Sequence, residues 1–75
     1  ANMDKVAGAA AWQIAAINAV GLDSLPEELR ALAELRLQNP YDSLRELGQK
    51  LTPPLSRSGV NHRLEKIIDL AARKD

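Results

Sequence analysis

The sequence predicts a small all-α domain of four helices, and three observations carry that expectation. Apolar residues recur at three- and four-residue steps in four separate stretches. Breakers separate those stretches, at Gly21, Asn39-Pro40 and Pro53-Pro54. Alternation of apolar and polar residues never lasts more than a few positions, and one Trp, one Tyr and no Phe leave little of the aromatic content that strands favour.

The first helix is expected over residues 2–20, where alanine, the best helix former, is abundant. Val6, Ala10, Ile14 and Ile17 give it one narrow apolar stripe, with Trp12 off that stripe. Gly21 stands where a left-handed C-cap would close the helix, with Leu22 just beyond. The second helix opens at Ser24-Leu25-Pro26-Glu27. Ser24 and Glu27 have capping-box spacing, and Pro26 suits a first turn whose amide has no intrahelical partner. Leu29, Leu32, Ala33 and Leu37 form its inner face, widened by Leu25 and Leu35, while Arg30, Glu34 and Gln38 read as its solvated side. Asn39-Pro40 ends it, because a residue before proline is pushed out of the helical region.

The third helix is short. Ser43 and Glu46 form a second capping box, Leu44, Leu47 and Leu51 point inward, and Thr52-Pro53-Pro54 stops it. Gly48 is a poor helix residue by propensity and asks for a packing explanation. The fourth helix is expected over residues 56–73, with Val60, Leu64, Ile67 and Ala71 on one stripe and Leu55 placed as a hydrophobic staple against Val60.

Seventy-five residues make one domain at most, burying roughly 60% of the surface that the unfolded chain exposes. The absence of cysteine excludes disulfides, thiolate zinc sites and a cysteine nucleophile, and fits a reducing cytoplasm. The longest hydrophobic stretch is broken by Gln13 and Asn18 and lacks the basic flank of a signal peptide, so no membrane association is expected. The chain opens on Ala1 rather than methionine, which reads as a piece of something larger.

Ten basic and ten acidic residues cancel, yet they are segregated. Residues 1–44 hold three basic and six acidic side chains, whereas residues 45–66 hold Arg45, Lys50, Arg57, Arg63 and Lys66 against Glu46 and Glu65. Local field rather than net charge steers a polyanion.

The third and fourth helices together read as a helix-turn-helix over about residues 43–67. Leu44, Leu47 and Leu51 supply anchors, Gly48 the small residue at a close crossing, and Leu55, Val60, Leu64 and Ile67 the inner face of the second helix. The opposite face of that helix is polar, with Arg57, Ser58, Asn61, His62, Arg63, Glu65 and Lys66. Arginine can present two donors to guanine and asparagine can pair with adenine, so this face suits the major groove of double-stranded DNA. Residues 56–61, beginning at Ser56, would approach the bases most closely. Base contacts are expected among Arg57, Asn61, His62 and Arg63, with Ser58 able to meet base or phosphate. Arg45, Lys50 and Lys66 are expected on phosphates, as is Ser43 at a helix N-terminus. The 52–54 turn is about two residues longer than the tightest turns of such motifs.

Three strings, SLPEELRALAELRLQNP, SLRELGQKL and PPLSRSGVNHRLEKI, together resemble the C-terminal helix-turn-helix domain of the WhiA family of bacterial sporulation and cell-division regulators. The resemblance extends to the leading ANMDK and to QIAAI in the first helix, and SGVNHRL is its most specific part. It implies a transcription regulator acting at the nucleoid in the cytoplasm, in which a larger domain similar to LAGLIDADG homing endonucleases, without their catalytic acids, precedes this one. Residues 1–22 would then be a helix connecting to that upstream domain, and residues 23–75 the DNA-binding unit.

Competing readings are weaker. His62 has no second histidine or cysteine to complete a metal or catalytic set, and Glu46 beside Asp42 is better explained as a cap partner than as half of a carboxylate pair, so neither an enzyme nor a cofactor is expected. Trp12 suits either a partner hot spot or packing against the end of the second helix. Two alternatives stay open: a protein-interaction module contacting a sigma factor or RNA polymerase through the first helix, and a binder of structured RNA. No small-molecule ligand is evident.

Overall fold

The computed structural model describes the backbone of residues 2–73 and the side chains of residues 10–73. Four helices follow one another, α1 (Asn2–Val20), α2 (Glu27–Gln38), α3 (Leu44–Lys50) and α4 (Arg57–Ala72), with a single 3-10 turn at Leu22–Ser24 and no strand among the described residues. The all-α expectation holds.

One core serves all four helices. Ile17, Leu32, Leu47, Val60, Leu64 and Ile67 are almost completely removed from solvent, each such burial contributing about 1.5–3 kcal/mol. Every helix supplies at least one of these side chains. Helix α4 is the hub, packed against α1, α2 and α3. Ala16, Ile17 and Val20 of α1 belong to the same core cluster as Leu64 and Ile67 of α4, so the last turns of α1 are part of this packing.

In α1, Ala10 and Ile17 are buried as the stripe predicts and Ile14 is half-buried; Val6 lies outside the described side chains. Trp12 is 75% exposed and, with Ala15 and Ala19, lines a shallow groove against Ile68 and Ala72 of α4. It is therefore not packed on the end of α2. Gly21 does take a positive φ, 87°, but its ψ of 135° is extended rather than left-handed helical. Its N–H still bonds Ile17 O at 2.8 Å, and the chain then leaves α1 directly into the 3-10 turn.

That turn overturns the first capping box. Ser24 is its last residue, the N-cap of α2 is Pro26 with ψ 154°, and no side chain caps the helix. The Pro26 carbonyl accepts the amides of Leu29 and Arg30 instead. Arg30 donates to the carbonyls of Leu22, which also accepts the Leu25 amide, and Leu25, tying α2 to the turn. A local 3-10 turn has outcompeted the cap for Ser24.

Helix α2 buries Leu29, Leu32, Ala33 and Arg36. Arg36 was not expected inside: it is 3% exposed, and its Nη1 donates to the carbonyls of Asn39 (3.3 Å), Pro40 (3.3 Å) and Asp42 (2.9 Å). Burial pushes the Arg36 pKa below its ordinary value, and the Asp42 carboxylate acts the other way. The loop that joins α2 to α3 is thus wrapped around a buried guanidinium.

Candidate nucleic-acid interface

Local chemistry sets the ends of α3 and α4. Ser43 caps α3 with a complete capping box: Ser43 Oγ accepts Glu46 N–H at 3.1 Å, and Ser43 N–H donates to Glu46 Oε1 at 2.9 Å. Ser56 caps α4 by accepting Gly59 N–H at 3.2 Å. Between them, Leu51 to Ser56 form the turn, with a cis peptide at Thr52–Pro53.

Gly48 holds this turn against α3. A Cβ built there would stand 2.2 Å from the Leu55 carbonyl oxygen and 3.0 Å from Val60 Cγ2. Gly48 O accepts Leu55 N–H at 3.0 Å. The close approach is real, but it is made chiefly with the backbone of the turn and only then with α4. Leu55 packs against the core cluster, and its side chain also lies beside Gly59.

The inner face of α4 is Val60, Leu64 and Ile67. At about 100° per residue, the side opposite them carries Ser58, His62, Glu65, Lys66 and Asp69, all exposed. Asn61 stands on the flank toward α1 and Ile68, with its Nδ2 3.4 Å from Glu65 Oε1. Arg57 is exposed in the first turn of α4, and Arg45 is exposed on α3.

The five cations of the second half are not equivalent. Arg63 is half-buried and turned toward α2, where it reaches Glu28 through the backbone carbonyl at 3.5 Å and the carboxylate at 3.9 Å. That position takes it off the outward face where the sequence pattern had placed it among the base readers. Lys50 donates to the Asp42 carboxylate and to Asn39 Oδ1. Arg45, Arg57 and Lys66 have no hydrogen bond or ion pair with any described residue. The exposed polar side chains of α4 are thus Ser58, His62 and Lys66 on the outward side, with Arg57 and Asn61 on one flank of it. The structure draws Lys50 and Arg63 into contacts with α2 and the loop after it. Sequence periodicity has no means of seeing those two pairings, which join residues 8 and 35 positions apart.

No group of three or more His, Cys, Asp or Glu among the described residues could hold a metal ion. No helix among the described residues is long and apolar enough to cross a membrane.

Two helices joined by a glycine-pinned turn, with a third braced behind them and a polar outer face on the second, define a small helix-turn-helix domain. The chain belongs to the WhiA C-terminal HTH domain family, whose model matches residues 1–71. It is 51% identical over 75 residues to a probable cell division protein WhiA of Clostridium novyi (strain NT), covering 95% of this chain. Similar relatives, each named probable cell division protein WhiA, come from Desulfitobacterium hafniense (strain DSM 10664 / DCB-2) and Thermoanaerobacter sp. (strain X514), both 49% identical over 77 residues and 97% of this chain. The chain spans 24% of the length of each of these relatives. No solved structure matches it.

Proposed function

We propose that this domain binds double-stranded DNA with sequence preference, laying the outward face of α4 in the major groove, within a bacterial transcription regulator of cell division and sporulation genes that works at the nucleoid. The observation that carries the reading is the set of exposed polar and basic side chains on the first turns of α4, which do no packing work while the opposite face is locked in the core. Asn61 and Arg57 have the donor geometry for purines, and Ser58 and His62 adapt to base or phosphate. Arg45 and Lys66 are free to meet phosphates. The hydroxyls of Ser43 and Ser56 accept helix amides and each keeps its own proton to donate to a phosphate oxygen. Arg63 serves the α2 contact rather than readout.

The test is a competition titration of Asn61→Ala and Lys66→Ala against matched and single-substituted duplexes at several salt concentrations. Asn61→Ala is expected to lose roughly 1–3 kcal/mol of discrimination at one base pair. Lys66→Ala is expected to weaken all sequences alike and to flatten the salt slope by about one unit. Parental behaviour of Asn61→Ala on every duplex would refute the orientation of α4.

Exposure of Trp12 beside Ile68 favours a second reading, protein contact through α1, with RNA polymerase or a sigma factor as the kind of partner. Such binding would respond to Trp12→Ala and little to salt, whereas phosphate contacts depend steeply on it.

A further inference from the structure

A cation that the sequence assigns to phosphate already has its charge answered. Lys50, in the last turn of α3, gives its ammonium to the Asp42 carboxylate and to Asn39 Oδ1 at 3.2 Å. Exposed ion pairs contribute little as a rule, partly because two free side chains must be ordered together. Here the acceptors are ordered beforehand. The Asp42 carbonyl lies 2.9 Å from the buried Arg36 guanidinium, which also grips the carbonyls of Asn39 and Pro40. Asn39 is fixed again by its own Nδ2, which donates to Leu35 O at 3.0 Å. The Asp42 side chain is 20% exposed and that of Lys50 43%. Two pre-positioned acceptors thus hold one flexible ammonium, whereas Arg45 and Lys66 have no such side-chain partner among the described residues.

We propose that Asp42 is a built-in counter-ion that keeps Lys50 from adding to the domain's attraction for phosphate, so that sequence-independent binding is held down and the contacts of α4 decide where the domain rests. The inference rests on the DNA reading above. A phosphate that approaches Lys50 also meets the carboxylate beside it, and the pair presents no net charge. In counterion-release terms Lys50 is then absent from the tally of neutralised phosphates, even if its flexible stem can reach one. One phosphate contact fewer weakens every sequence alike, which lowers overall affinity and leaves discrimination between sequences to the base contacts of α4.

Asp42→Asn keeps the shape and the backbone carbonyl that Arg36 holds while removing the charge. The measurement is fluorescence anisotropy of the parent, Asp42→Asn, Asp42→Glu, Lys50→Gln and the Asp42→Asn/Lys50→Gln double variant. Each is titrated with a duplex selected by the parent and with one of unrelated sequence, over a series of salt concentrations and at a temperature where circular dichroism shows all five folded. Asp42→Asn is expected to steepen the log–log salt slope by about 0.9 on both duplexes. Its gain at low salt should be the same fold on both duplexes. Asp42→Glu, Lys50→Gln and the double variant are expected to keep the parental slope. A parental slope in Asp42→Asn overturns the proposal, and so does a slope flattened by about one unit in Lys50→Gln alone, which would place Lys50 already on a phosphate. If the parent binds neither duplex, the DNA reading falls and this proposal with it; if the parent binds with a slope that no variant changes, only this proposal falls.

Discussion

Replacing Gly48 by alanine should destabilise the domain, although helix propensity alone argues the opposite. Alanine in a helix interior is worth about 1 kcal/mol over glycine. Against that gain, the added Cβ would stand 2.2 Å from the Leu55 carbonyl oxygen, where carbon and oxygen ordinarily settle at about 3.3 Å. The obstacle is backbone, so no rotamer change relieves it; α3 and the 51–56 turn must separate by about 1 Å. Overpacking of this kind costs about 1–3 kcal/mol. The movement also stretches the bond from Leu55 N–H to Gly48 O, now 3.0 Å, which is worth about 0.5–1.5 kcal/mol. The balance is a loss of about 2 kcal/mol, within a span of about 0.5–3.5. For a chain of this size that lowers the melting temperature by roughly 8–16 °C. Thermal denaturation followed by circular dichroism reads it directly, and Gly59→Ala is the internal control. A Cβ at Gly59 would find only ordinary contacts, 3.5 Å from Leu55 Cδ2 and from Ser56 Oγ, so that variant should melt at or above the parental temperature. A Gly48→Ala protein that melts no lower than the parent would refute the close approach of the turn to α3.

Three further expectations follow from the same geometry. Arg36→Met removes the donor shared by three loop carbonyls and should cost at least about 1.5–3 kcal/mol, with faster hydrogen exchange in the 39–43 segment; parental exchange there would mean the loop does not depend on Arg36. Gly21→Ala should lose about 1–3 kcal/mol from backbone strain alone, since nothing lies within 4 Å of the added carbon; a parental melting temperature would mean that the positive φ is not required there. Ser43→Ala should cost about 1 kcal/mol through loss of the cap; duplex affinity that falls further than the unfolded fraction explains would add a phosphate contact to its role, and affinity unchanged in the folded protein would make that role structural alone.

How much of this was legible in the sequence depends on how far each determinant reaches. Helix ends at Pro40, Ser43, Pro53-Pro54 and Ser56 are set by residues that act within one turn, and α3 and α4 begin and end within a residue or two of expectation. Ser24 was misread because two local structures competed for it, and the 3-10 turn uses backbone that any sequence offers. Arg36 left a usable sign: it falls four residues after Leu32 and three after Ala33, on the inner stripe itself. Its burial could not be read from the sequence, because the acceptors that satisfy it come from a loop that turns back over it. Lys50 and Arg63 were read as free charges for the same reason, since Asp42 and Glu28 reach them only once the helices have packed. Composition locates the basic half of the chain, whereas tertiary pairing decides which of its cations remain available.

The division of labour around α4 bears on how such a domain can change. Val60, Leu64 and Ile67 are buried in a core to which every helix contributes, so a substitution among them must be answered elsewhere in that core. Ser58, His62 and Lys66 have no hydrogen-bond or ion-pair partner among the described residues, and replacements at such positions usually stay within about 0.5 kcal/mol. Two nearly independent alphabets are therefore written on one helix, one read by the core and one by whatever meets the surface. New surface chemistry can be sampled on α4 a residue at a time without endangering the fold, and the fold can be mended without rewriting that surface.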